Sequence, residues 1–185
     1  MTWATRPHVR LQRIGTLMNS ECTTPLLTPR QKQVAAFVVS GPTNPEIAKH
    51  LDVTADCVKK HLRAVRTQVG TGPRSSQPVL ANAVLAAREV EPPKSSGPAP
   101  VFKDDERKLL LAVARYSAPE DIGRSAGLPS DEVLSAINAL VRKAGPDCTG
   151  PTHLVGLAYR WGLLGCGPGA RAGDATRDHR RVSRA

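Results

Sequence analysis

Aromatic residues are scarce in this 185-residue chain: only Trp3, Trp161, Tyr116, Tyr159, Phe37 and Phe102. Ala, Val and Leu dominate the apolar set, which suits small helical cores rather than a sandwich or barrel. The cysteines, Cys22, Cys57, Cys148 and Cys166, form no C-x-x-C pair. His8, His50, His61, His153 and His179 do not stand at ligand spacing from them, so no zinc site is expected. Free thiols in a reducing cytoplasm are the expectation. The N-terminus has Arg6, Arg10 and Arg13 but no apolar core of a signal peptide. The apolar run Val34 to Val39, which no other exceeds in length, is far too short to span a bilayer. No Ser/His/Asp or Cys/His set has a recognisable context, and no Gly-rich loop ends in Lys-Ser/Thr. The glycines at 165–169 follow no predicted strand, so they do not support a nucleotide site. Asp104, Asp105 and Glu106 open a predicted helix, where they suit its dipole. Neither enzymatic activity nor a cofactor is therefore expected.

Positive charge is what the chain has in excess, at a formal net +10. Such a balance suits a polyanionic partner but says nothing of fold. Its placement is more telling. Residues 27–90 hold nine Lys/Arg against four acids, whereas residues 102–164 hold eight of each sign. Residues 1–26 carry three Arg against one acid, residues 91–101 balance, and residues 165–185 carry five Arg against two Asp.

Proline and glycine clusters divide the chain. Residues 1–26 lack sustained periodicity and are expected to be mobile. Residues 91–101, EPPKSSGPAPV, read as a Pro/Ser/Gly linker that continues no helix. Residues 165–185 read as a disordered basic tail. It either adds non-specific DNA affinity or serves as a solubilising terminus. The predicted fold is all-α: two tandem four-helix units, at 27–90 and 102–164.

In the first unit Thr28 is a good N-cap, Pro29 opens the helix and Gln31 completes a capping box. That helix buries Val34, Phe37 and Val38 and ends near Gly41. Asn44 and Pro45 start a second helix with Ile47, Ala48 and Leu51 inward. Asp52-Val53 is a tight turn, and Thr54 caps a third helix with the apolar stripe Val58, Leu62, Val65, Val69. Gly70 marks its end. Lys59, Lys60, His61, Arg63 and Arg66 lie over that stripe. A short helix with one apolar and one cationic face, held by two others, suits the major groove of DNA. The competing reading is an ordinary solvated face. A fourth helix is predicted over Val79 to Val90.

The second unit aligns without a gap at a shift of 75 residues: Leu27 with Phe102, Ile47 with Ile122, Val58 with Val133, Leu62 with Ile137, Gly70 with Gly145. Its third helix is expected to begin at Ser130-Asp131-Glu132 and its fourth to run from Leu154 to Leu164. The shared apolar skeleton favours duplication. Separate acquisition of two similar units would leave the architecture unchanged. Lys59-Lys60-His61 become Leu134-Ser135-Ala136 and Arg63 becomes Asn138. Every lost cation removes a counterion-release contribution to DNA binding, so this unit reads as a degenerate helix-turn-helix. Leu134 at an outward position hints at a protein contact.

The runs L-T-P-R at 27–30, N-P-E-I-A at 44–48, L-D-V-T at 51–54 and V-K-K-H-L-R at 58–63, with Gly70, carry a family resemblance. Residues 27–90 resemble the DNA-binding domain of LuxR/GerE-type helix-turn-helix regulators. The resemblance implies that the third helix enters the major groove and that the fourth packs in a dimer. It implies groove-facing positions for Lys59, Lys60 and Arg63, and phosphate contacts for Thr54, Lys49, Arg66 and the Arg74-Ser75 turn. His61 either fixes packing, touches phosphate or reads a base. Departures from the family pattern are Cys57 for Thr or Ser, Gln68 for Lys, and the prolines Pro42, Pro45 and Pro78. Pro78 intrudes at the start of the fourth helix and counts against family-style dimerisation.

The expected function is that of a bacterial transcriptional regulator binding double-stranded DNA, in the cytoplasm on the nucleoid. Its partners are DNA and either a second copy or another protein through residues 102–164, with no membrane, metal or cofactor. The alternative is a protein-binding adaptor or anti-regulator acting through the neutral second unit. A third reading, the promoter-binding helix-turn-helix of sigma factors, lacks the polymerase-binding and melting regions such a factor needs. Target sequence, sign of regulation and input signal are not written in the chain.

Overall fold

A computed structural model describes residues 26–165. The mobile segment expected at 1–26 and the tail expected at 165–185 lie, but for their boundary residues, outside the described residues. The described residues form eight helices and no strand. In chain order they are α1 (Pro29–Val39), α2 (Asn44–His50), α3 (Ala55–Gln68), α4 (Gln77–Ala86), α5 (Asp104–Arg115), α6 (Pro119–Ala126), α7 (Val133–Ala144) and α8 (Pro151–Arg160).

Local chemistry sets most helix starts. Gln31 Oε1 accepts from the Thr28 N–H at 2.7 Å, and Thr28 Oγ1 accepts from the Gln31 N–H at 3.4 Å, the reciprocal pair of a capping box. At α2 the Glu46 carboxylate accepts from both the N–H and the hydroxyl of Thr43. Thr54 Oγ1 accepts from the Cys57 N–H at 3.2 Å and opens α3. Pro78 falls in the first turn of α4, where its missing N–H costs no intrahelical bond.

Three boundaries differ from those read in the sequence. The fourth helix starts at Gln77 rather than Val79, because Pro78 is tolerated there, and ends at Ala86, where Arg88 turns left-handed at φ +56°. The helix expected from Ser130 starts at Val133, because the Glu132 N–H turns back to the Pro129 carbonyl. The last helix runs Pro151–Arg160 rather than Leu154–Leu164, again with a proline in its first turn.

The apolar stripes define two cores that meet at α4. Leu80 and Val84 close a core with Val34, Val38, Ile47, Val58, Leu62 and Val65. Ala81 and Leu85, on the same helix, belong to the core of Phe102, Leu110, Val113, Ile137, Leu154 and Leu157. Helix α4 thus packs on α1, α5 and α8. Val39, at the end of α1, also joins the second core. The 91–101 segment is fastened to α8: Trp161 Nε1 donates to Ser95 Oγ at 3.3 Å, and Pro93 lies against Gly156.

Two buried polar groups tie the ends together. The Glu89 carboxylate accepts from the N–H groups of Leu26 and Leu27 and pairs with Lys32 Nζ at 3.1 Å. Burial pushes this carboxyl up, but the donors and the Lys32 ammonium outweigh it and hold it below the usual carboxylate range. His153 is buried near the start of α8, with Nδ1 3.4 Å from the Thr149 N–H that donates to it. It sits against Gly41, whose φ of +97° and proximity to Thr149 and His153 leave no room for a side chain.

Burial pushes the His153 imidazole below its usual range, and Asp147 opposes that only in part. The unfolded chain takes up its proton near pH ~6.5, the folded chain at lower pH. The contribution of neutral His153 to stability is therefore complete above about pH 6.5 and declines as pH falls through the folded value. Urea midpoints measured across this window should drop with pH, and His153→Gln should flatten that drop. An equal slope in the variant would clear His153 as the cause.

Candidate nucleic-acid interface

The helix-turn-helix geometry rests on the α2–α3 connection. Asp52 adopts φ +50°, a left-handed turn tolerated by Asp, and the Val53 N–H donates to the Ala48 carbonyl at 3.0 Å. Arg30 supports this turn from α1: its Nη2 donates to the Leu51 carbonyl at 2.9 Å, its Nη1 to Gln33. Phe37 and His50 stack at 5.5 Å and join α1 to the end of α2. Sequence reasoning assigned no role to Arg30. Its place in the L-T-P-R run was the available signal.

Helix α3 buries Val58, Leu62 and Val65 and turns the opposite face outward. Lys59, Lys60 and Arg63 are exposed on that face. Lys59 Nζ lies 3.1 Å from Asp56, an exposed pair that water screens and that holds the lysine weakly. Among the described residues, Lys60 and Arg63 make no ion pair. Donors projected from one helix face, with no local acceptor for two of them, can meet phosphate oxygens or base edges.

The remaining sequence-named residues fall around this face. Thr54 is exposed at the start of α3; its oxygen accepts from Cys57 while its O–H stays available to donate. Lys49 is exposed on the last turn of α2. His61 is half-buried beside the apolar stripe. Arg66 lies near the far end of α3, roughly 18 Å along the axis from Thr54 at 1.5 Å per residue, and Arg74 and Ser75 follow in the α3–α4 connection. Arg74 is exposed, but Arg66 and Ser75 are half-buried. The Arg66 Nε and Ser75 Oγ atoms are buried without a hydrogen-bond partner. Burial pushes the Arg66 guanidinium pKa down. Its backbone carbonyl accepts from the Thr71 N–H and closes the helix end.

Helix α7 presents a different face. On α7, Leu134 is 69% exposed beside exposed Ser135 and Asn138, and exposed Asp131 and Glu132 precede it. The Lys143 ammonium is committed to Glu106 at 2.6 Å and lies over the Phe102 ring. Among the described residues no group of three His, Cys, Asp or Glu side chains is placed to hold a metal, and no helix is long and apolar enough to cross a membrane.

Residues 25–77 match the family model for bacterial regulatory proteins of the luxR family. The match covers α1 to α3 and ends on the first residue of α4. No curated protein and no solved structure matches the chain.

Proposed function

We propose that residues 25–77, which match the luxR family model, are the DNA-binding helix-turn-helix of a transcription regulator, and that α3 is the helix that reads the DNA. The observation carrying this reading is the exposed row Lys59, Lys60 and Arg63 opposite the buried Val58, Leu62 and Val65. Affinity comes mainly from phosphate neutralisation, by Lys49, Thr54, Arg74 and the less exposed Arg66 and Ser75. Specificity comes from Lys59, Lys60 and Arg63 at base edges, with His61 at the margin of the groove. The protein works on the nucleoid in the cytoplasm, needs no cofactor and catalyses no reaction.

A second reading rests on Leu134. An apolar side chain left outward beside Asp131 and Glu132 suits a protein contact better than a phosphate backbone. In that reading residues 102–164 dock a protein partner or a second copy, and the chain acts as an adaptor.

One comparison separates the two. Genomic DNA fragments retained by the intact chain at low and raised salt are sequenced. The first reading expects a recurrent motif that survives raised salt and is lost in Lys59→Ala/Lys60→Ala. Retention that vanishes with salt and yields no motif, with a regulatory phenotype abolished by Leu134→Asp but not by the lysine variant, would establish the adaptor instead.

A further inference from the structure

The eight helices are arranged as two sets of four related to one another. Helices α1 and α2 recur as α5 and α6 with starts displaced by 75 residues, and α3 recurs as α7 with its end displaced by 76. The left-handed turn at Asp52 recurs at Gly127, and Gly70 recurs at Gly145, both at a shift of 75. The last helix recurs at a shift of 74: Ser76 and Gly150 are N-caps, and Arg88 and Gly162 are both left-handed. Buried Leu80, Ala81 and Val84 then coincide with buried Leu154, Val155 and Ala158.

The contacts between the two sets are reciprocal. Helix α1 packs on α8, its counterpart α5 packs on α4, and α4 packs on its own counterpart, α8. Reciprocal contacts closed on a self-paired element are what a two-fold axis produces between identical subunits. Here the relation is internal. Tyr159 Oη donates to Asn82 Oδ1 at 2.8 Å across the α4–α8 contact, and Ser117 Oγ accepts from the Ser76 N–H at 2.9 Å. Gly156 lets Val39 and Pro93 come so close that a Cβ there would lie 2.9 Å from each. The apolar face of α4 is entirely consumed: Leu80, Ala81, Val84 and Leu85 are all buried.

We infer that the second unit takes, inside one chain, the place a second copy takes in a two-fold pair, so that the protein binds DNA as a monomer over one half-site. The binding of DNA rests on the function proposed above; the monomeric state does not. A two-fold pair of reading helices matches a palindromic operator. In this chain the counterpart of α3 is α7, and its outward face carries Leu134, Ser135 and Asn138 where α3 carries three cations. Only one half of the pair is equipped to read, and the site it selects has no dyad.

The full chain is tested as it stands. Sedimentation velocity over a wide concentration range gives its mass, and the same protein then selects its DNA site, with stoichiometry measured on the selected duplex. The expected results are a single species of 19.7 kDa, one chain per duplex and a motif without two-fold symmetry. A species of twice that mass, or two chains on a palindromic motif, overturns the inference. The two claims fail separately: a monomer that selects no motif sinks the DNA reading and leaves the internal pairing standing.

Discussion

Replacing Lys59, Lys60 and Arg63 together with alanine is expected to lower DNA affinity by about 10²- to 10⁶-fold, since a contacting Arg or Lys contributes roughly 1–3 kcal/mol and three are removed. All three side chains are exposed and none contributes to the core, so the helical circular dichroism and the melting temperature should stay close to wild type. Among the described residues, the ion pair lost is the exposed Asp56–Lys59 pair. The salt dependence separates the roles. Each phosphate contact removed should reduce the slope of log K against log salt by about 1, whereas loss of a base contact relaxes specificity at one position. Arg63→Ala alone is expected to relax one position of the binding motif. The control removes charge elsewhere: Arg107→Ala/Arg115→Ala on α5 deletes two exposed cations and should weaken binding only slightly. Equal losses in the triple variant and the control would reduce the α3 face to a share of the general positive field.

Leu154→Ala should destabilise the whole chain, not just its second half. Leu154 is 1% exposed and sits in the core that also takes in Val39, Ala81 and Leu85 from the first unit. Truncating a buried leucine costs about 2–5 kcal/mol, depending on how far the cavity collapses. For a chain of this size that corresponds to a fall in melting temperature of about 4–20 °C. Calorimetry should show one transition before and after, because α4 cannot lose one core without exposing half of its apolar face. DNA binding should disappear at the same, lower temperature, although Leu154 is remote in sequence from α3. Two resolved transitions, with only one displaced, would show that 27–90 and 102–164 fold independently.

The helix starts were legible because their causes are local. Thr28 with Gln31, and Thr54 ahead of Val58, are satisfied within three or four residues. The starts at Gln77 and Pro151 lie ahead of those expected at Val79 and Leu154, because a first helical turn accepts proline. The end of α4 carried no glycine signal, since Arg88 rather than Gly adopts the left-handed turn. The Glu89 clamp was invisible for a different reason: its donors at Leu26 and Leu27 lie 63 and 62 residues away. The half-burial of Arg66 and Ser75 follows from the packing of the α3–α4 turn, which residue spacing does not report.

By itself the sequence determined that the chain is helical, where the apolar stripes run, and that one third helix is cationic while its counterpart is not. Those properties depend on capping, period and charge, all of which act within a few residues. Only the tertiary structure decided what covers α4 and α8. A 3.6-residue period announces that a face is buried but carries no information about its partner. That choice is made by shape, where Gly156 admits Val39 and Pro93 and where Tyr159 reaches Asn82.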